Sequence, residues 1–274
     1  MPPTARHVTT ALLGLALAGG LLVGAAPQRE TSVDVRPAFA ASCIGYCKYP
    51  TNAAKVFRWG VEAWRQEFER GGFKRRHWSS NHPRLIGQQH GMFTLHAKPR
   101  TDRLVATART QKARYGRWEA RVRAVELTKA DHHYRFWWEL TPAGASHCKK
   151  GVVLSTYRPG AGKARGEVRN ARHQFSFARK RDLRSRAWHT YAVEVRKHRI
   201  SWFVDTKVVR TERRDGATSG VKLKPRFRIE RHGPGKQNDS WMQMDWVRYY
   251  TLKRPNAHST KAPRMDRSRI RGAC

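Results

Sequence analysis

Trp118, Ala120, Val122 and Ala124 alternate with Arg117, Glu119, Arg121 and Arg123, a period of two that marks a strand buried on one face. The same rhythm runs through HTYAVEVRKHRISWFVDTKVV (His189–Val209). There Tyr191, Val193 and Val195 lead to a polar turn at Arg196–Arg199. Ile200, Trp202 and Val204 lead to a second turn at Asp205-Thr206-Lys207. Shorter strands are predicted at Met92–Leu95, Leu104–Thr107 and Arg226–Glu230, and a long last one in WMQMDWVRYYTL. Two more lie between them: the aromatic YRFWWELTP (Tyr134–Pro142) and the neutral centre of HCKKGVVLSTYRPG (His147–Gly160). From Leu140 to Gly166 there is no Asp or Glu. Residues 51–72 read differently, because Phe57, Val61, Trp64 and Phe68 fall at helical spacing between caps at Thr51/Asn52 and a stop at Gly71-Gly72. No long helical pattern follows, and turn signals recur about every ten residues, so the predicted class is all-β, an antiparallel sandwich or barrel.

The ends and the composition refine this picture. Ala11–Ala26 is an uncharged run preceded by Arg6 and His7, the length of an export signal and short and glycine-rich for a spanning helix. Cleavage is expected near Val23-Gly24-Ala25 or after Ala38-Phe39-Ala40, with an uncleaved anchor as the alternative. No later segment is apolar enough to cross a membrane, so a secreted and extracellular protein is expected, with cell-wall association open. Cys43, Cys47, Cys148 and Cys274 form an even set that suits disulfides in an exported chain. The preferred pairing is Cys43–Cys47 with Cys148–Cys274, and a crossed pairing stays open. C-I-G-Y-C lacks the second pair that a structural zinc site needs, so neither metal nor cofactor is expected. The formal charge is +36, spread along the whole chain, and loss of residues 1–40 barely changes it. Such a field attracts acidic polysaccharides, nucleic acids and anionic head groups alike. Solubility and arginine-rich codon usage explain the same charge without any partner.

Four stretches, in order, carry a family resemblance: YGRWEARVRA (Tyr115–Ala124), FWW (Phe136–Trp138), WHTYAVEVRKHRISWFVDTKVV (Trp188–Val209) and MQMDWVRYY (Met242–Tyr250). With GMFTLHA (Gly91–Ala97), they resemble glycoside hydrolase family 16, the laminarinase, lichenase and carrageenase group. The resemblance implies a concanavalin A-like jelly roll, two stacked antiparallel sheets with a glycan cleft on a concave face. It also implies a short strand and turn, rather than a helix, before Gly72. The expected organisation is a signal and linker over 1–40, a cysteine-containing linker over 41–58, the jelly roll over 59–252, and a basic tail over 253–274, mobile unless its cysteine tethers it.

The family's catalytic strand reads E-x-D-x-x-E, and here KGVVLSTY takes its place. The resemblance sets the first Glu on Gly151, the Asp on Val153 and the last Glu on Thr156, or on Ser155 in the shorter E-x-D-x-E pattern. A retaining glycosidase needs two carboxyl groups about 5–5.5 Å apart across the sugar, and none of these side chains supplies one. Glu119, Glu194, Asp205 and Asp245 fall at positions expected to be structural.

Alternation along the aromatic strand puts Tyr134, Phe136, Trp138 and Leu140 in the core and His133, Arg135, Trp137 and Glu139 in the cleft. The resemblance implies that Trp137 is the stacking tryptophan of the cleft floor; reversed phase would make it core. The next strand is expected to present Gly151, Val153 and Ser155, with Tyr157 and Arg158 at its exit. Candidate ligand-binding residues are therefore Trp137, Arg135, His133, Glu139, Tyr157 and Arg158. Against these stand simpler readings, in which His132 and His133 form an ordinary strand pair and Glu139 pairs with Arg135. Arg169, His173 and Gln174 face either the cleft or solvent.

Three functions compete. The first is a secreted, non-catalytic module holding a polysaccharide or an acidic cell-envelope glycan, expected as a monomer. The second is a glycan-cleaving enzyme with relocated groups, either a hydrolase on Glu139 or Glu167 or a uronate lyase using Arg135, His133 and Tyr157. The third is a polyanion binder, of nucleic acid for example, that works by charge alone.

Overall fold

The structure is a computed structural model that describes residues 52–69, 73–130, 132–144, 150–170, 173–254 and 262–267. The expected export signal, the four cysteines and hence every disulfide expectation lie outside the described residues.

One helical turn, α1 (Ala53–Val56), precedes sixteen described strands. These are β1 (Trp64–Glu67), β2 (Trp78–Ser80), β3 (Ile86–Gln89), β4 (Met92–Ala97), β5 (Arg103–Ala108), β6 (Gly116–Glu126), β7 (Arg135–Pro142) and β8 (Lys150–Tyr157). They continue with β9 (Lys163–Asn170), β10 (His173–Lys180), β11 (His189–Arg196), β12 (Arg199–Val204), β13 (Lys207–Glu212), β14 (Leu223–Glu230), β15 (Ser240–Tyr250) and β16 (Asp266–Arg267). The first sheet runs β13-β12-β11-β6-β15-β4-β3, with β1 beside the far half of β15; the second runs β16-β10-β9-β8-β7-β14-β5-β2. Their ladders are antiparallel, and the two inner faces enclose one core, so the chain is an all-β jelly-roll sandwich.

Alternation built this core. Trp118, Ala120 and Val122 of β6, Tyr191 and Val193 of β11, and Trp202 of β12 point inward from the first sheet. Phe136, Trp138 and Leu140 of β7, with Phe227 and Ile229 of β14, meet them from the second. Trp138 stacks on Phe227 at 4.7 Å between centroids, and Trp78 tilts on Phe93 at the same distance. Each such ring pair adds about 1 kcal/mol beyond the area it buries. Two of the buried indoles have acceptors for their N–H groups: Trp138 donates to the Tyr191 carbonyl and Trp202 to that of Val153.

Helical spacing in 51–72 yields only α1, and β1 takes the rest. Phe57 and Trp59 pack on Phe203 and Tyr250, on the outer face of the first sheet. Phe68 belongs to the inter-sheet core, and Val61 is exposed. The four apolar residues therefore serve different layers, which is why their spacing gave no long helix. Asn52 caps α1 through Lys55 N, and the α1 amides of Ala53 (2.5 Å) and Ala54 donate to the buried Glu119. The ordered sandwich thus starts before residue 59. It also extends past 252, because β16 pairs with β10 and Met265 enters the core.

Candidate functional site

The face of the second sheet turned away from the core carries the chemistry. In register across it run Thr107, Arg226, Glu139, Val153, Glu167 and Ser176, from β5, β14, β7, β8, β9 and β10. The next row on the same face is Val105, Arg228, Trp137, Thr156, Arg165 and Ala178. A bulge makes the second row possible. β8 contains one extra residue between Val153 and Thr156 relative to both neighbours, so Val153 and Thr156 share a face. Gly151, paired with Arg169, lies one row further along. The three positions matched to the family's carboxylates therefore do line one face, and they carry a hydrogen, an isopropyl group and a hydroxyl.

The bulge also moves two residues that plain alternation had placed here. Ser155 lies opposite Trp138 on the core side, and Tyr157 stacks between Phe136 (6.0 Å) and Tyr191 (6.3 Å) inside the sandwich. Tyr157 is thus a core residue, and burial raises its phenol well above the usual range. His133 is absent from this face as well. β7 begins only at Arg135, and the His133 ring turns to Glu126 at the end of β6, beside Asn238. Among the described candidates, Trp137, Glu139 and Arg135 share the face along β7, with Arg158 at its margin just past β8.

Glu139 is clamped, and its partners come from β14 rather than from Arg135. Arg226 Nε (2.8 Å) and Arg228 Nε (3.1 Å) both donate to Glu139 Oε1. Burial alone would raise its carboxyl; the guanidiniums of Arg228 and Arg226 overcome that and hold it below the usual carboxylate range. Glu167 takes the Arg169 Nε, yet burial, reinforced by the Glu139 charge, pushes its carboxyl up. The two acids flank Val153, one strand to either side, with Cα atoms about 10 Å apart from strand spacing. Both are engaged by arginine.

Trp137 is 7% exposed, and the Arg228 guanidinium sits 4.0 Å over its ring. The indole is therefore a support for Arg228 rather than a bare platform. Its Nε1 and the Thr156 hydroxyl are buried and have no hydrogen-bond partner among the described residues. On the other side of Arg228 opens a depression of about 270 Å³ lined by Ser79, Asn81, Arg103, Thr107, Arg226 and Arg228 itself. Sequence reasoning passed over Arg226 and Arg228, although their alternation with Phe227 and Ile229 was the available signal. His173 is exposed on β10, and Arg169 faces the row beside Glu167. No group of three or more His, Cys, Asp or Glu among the described residues could hold a metal ion.

The remaining acids of the resemblance are structural. Glu194 binds Arg117 (2.6 Å), Arg196 and Arg199; Asp245 binds Arg121 (2.6 Å); Asp205 meets His189 and Thr190 N.

No family model matches the sequence, and no curated protein matches it. Solved structures do match in fold. The laminarinase from Flavobacterium sp. UMI-01 aligns at 14% identity and a TM-score of 0.57, over 70% of this chain and 100% of its own. The laminarinase catalytic domain from Thermotoga maritima MSB8 gives 13% and 0.58, over 71% and 99%. SCLam, a non-specific endo-beta-1,3(4)-glucanase from family GH16, gives 13% and 0.57, over 70% and 91%. The chain thus has the jelly-roll fold of the family 16 laminarinases and endo-1,3(4)-glucanases, as the resemblance implied.

Proposed function

We propose that this protein is an exported jelly-roll module that holds a polysaccharide on the outer face of its second sheet without cleaving it. One observation carries the reading: Gly151, Val153 and Thr156 stand on that face, at the bulge, where the resemblance expects the catalytic carboxylates. Support comes from the Arg228–Trp137 stack and the open depression beside it, planar and polar surfaces of the kind that receive sugars. The similar enzyme SCLam has been crystallised with a glucan fragment at its active site, which makes a glycan the natural ligand class to test. Affinity electrophoresis and calorimetry against laminarin, a sulfated galactan and a polyuronate are expected to give dissociation constants between about 1 µM and 1 mM, with no new reducing ends. Trp137→Ala is expected to weaken binding about tenfold, by removing the support of Arg228. Binding to none of the three polymers overturns the reading.

The placement of Glu139 and Glu167 on either side of Val153 favours a second reading, a hydrolase with relocated carboxylates. Release of reducing ends that disappears in Glu167→Gln would establish it and displace the first.

A further inference from the structure

One end of the same face has an excess of positive charge. Phe136 pairs with Tyr157, so Arg135 and Arg158 follow as neighbours one step beyond. Thr156 pairs with Arg165, whose side chain stands on the same face as theirs. Arg158 and Arg165 are exposed and Arg135 is half-buried. Arg231 forms a separate pair with Asp102 at 3.0 Å. Glu230, opposite Arg135 on β14, is the carboxylate nearest in register, and Arg228 already holds it at 2.8 Å. Burial, then the guanidiniums of Arg158, Arg165 and Arg228, keep Arg135 below the usual arginine range despite Glu230. His232 is lowered by burial and by the same Arg135 and Arg158.

Three like-charged forks collected at one place repel one another unless an anion lies between them. Next to them are the two buried, unpartnered donors, Trp137 Nε1 and Thr156 Oγ1. A neutral glucan has nothing to give such a cluster. An oxoanion does, because planar guanidiniums bind sulfate and carboxylate oxygens through paired N–H donors.

We propose that Arg135, Arg158 and Arg165 form a subsite for the sulfate or carboxylate substituent of an acidic polysaccharide, at the end of the face where Trp137 and Thr156 meet. The proposal rests on the glycan-holding function above and narrows its ligand to an acidic chain. The substituent sits among the three guanidiniums, while the sugar backbone runs toward the Arg228–Trp137 stack.

The test compares wild-type protein with Arg158→Gln/Arg165→Gln and with Arg135→Gln, using a sulfated galactan, a polyuronate, neutral laminarin and a single-stranded DNA oligonucleotide. Arg76→Gln/Lys207→Gln removes the same charge from exposed sites elsewhere and serves as control. The cluster variants are expected to lose about tenfold in affinity for one acidic polysaccharide, against less than about twofold in the control, with laminarin unchanged. Whichever acidic polymer loses affinity identifies the substituent. Equal losses in cluster and control variants overturn the subsite, as does wild-type binding of acidic polymers no tighter than laminarin. DNA bound as tightly as the acidic glycan, with the same tenfold loss, also overturns it as a glycan site. If the cluster variants lose affinity while Trp137→Ala does not, the subsite stands and the stacking part of the broader reading fails. If no polysaccharide binds at all, both fail.

Discussion

Glu139 and Glu119 are both buried, and their surroundings push them in opposite directions. Two arginines hold Glu139 ionised. Glu139→Gln would leave Arg226 and Arg228 facing an amide, and is expected to destabilise the fold by about 3 kcal/mol in denaturant titrations. Glu119 has only the α1 amides and a more distant Arg248, and burial outweighs them, pushing its carboxyl up to about 8. An acid whose folded value is raised is held protonated by the native state. Its contribution is therefore complete below the unfolded carboxylate value and is lost progressively as pH rises towards about 8. The loss amounts to roughly 1 kcal/mol per pH unit. Glu119→Gln should flatten the fall in melting temperature over this window, raising stability at pH 8 and changing little at pH 4. A variant that melts in parallel with wild type across the window would show that Glu119 stays ionised in the fold.

The second sheet tolerates little added volume where β9 and β10 meet. A Cβ on Gly166 would come within 2.3 Å of the Phe177 ring, which is held in the core. Gly166→Ala is therefore expected to cost about 2 kcal/mol, seen as a lower denaturation midpoint with an unchanged slope. The same sheet shows what could be read from sequence and what could not. β6, β11 and β12 were plain because large apolar side chains fill their core face while the other face, buried as well, carries polar residues such as Arg117, Glu119 and Glu194. β9 and β10 were not, since GEVRNARHQFSFARKR places long polar side chains on both sides of its apolar positions. The fold resemblance, and the absence of any acid from KGVVLSTY, needed only residue order. The position of Tyr157 needed the bulge, which exists only relative to β7 and β9 and leaves no mark in KGVVLSTY itself. The clamp on Glu139 needed β14, far away in sequence and adjacent only after folding.

At the scale of the whole molecule, the charge of +36 guarantees some attraction to any polyanion, and the specific site has to be separated from it. Raising salt from about 0.05 to 0.5 M should reduce DNA binding by orders of magnitude, while laminarin binding changes by less than about threefold. Equal salt slopes for the two ligands would mean that charge alone does the work.

The seat of α1 on Glu119 has a consequence for resistance to proteolysis. The segment from Asn52 to Trp59 both supplies the amides for that carboxyl and roofs Ala192, Phe203 and Tyr250. A protease acting on the folded protein is therefore expected to spare the bonds from Asn52 to Trp59, which are seated on the sandwich. Digestion with a broad-specificity protease followed by intact-mass measurement should leave a fragment that starts ahead of Ala53. A chain that begins at Gly60 instead should expose the apolar patch, leave Glu119 without donors and aggregate.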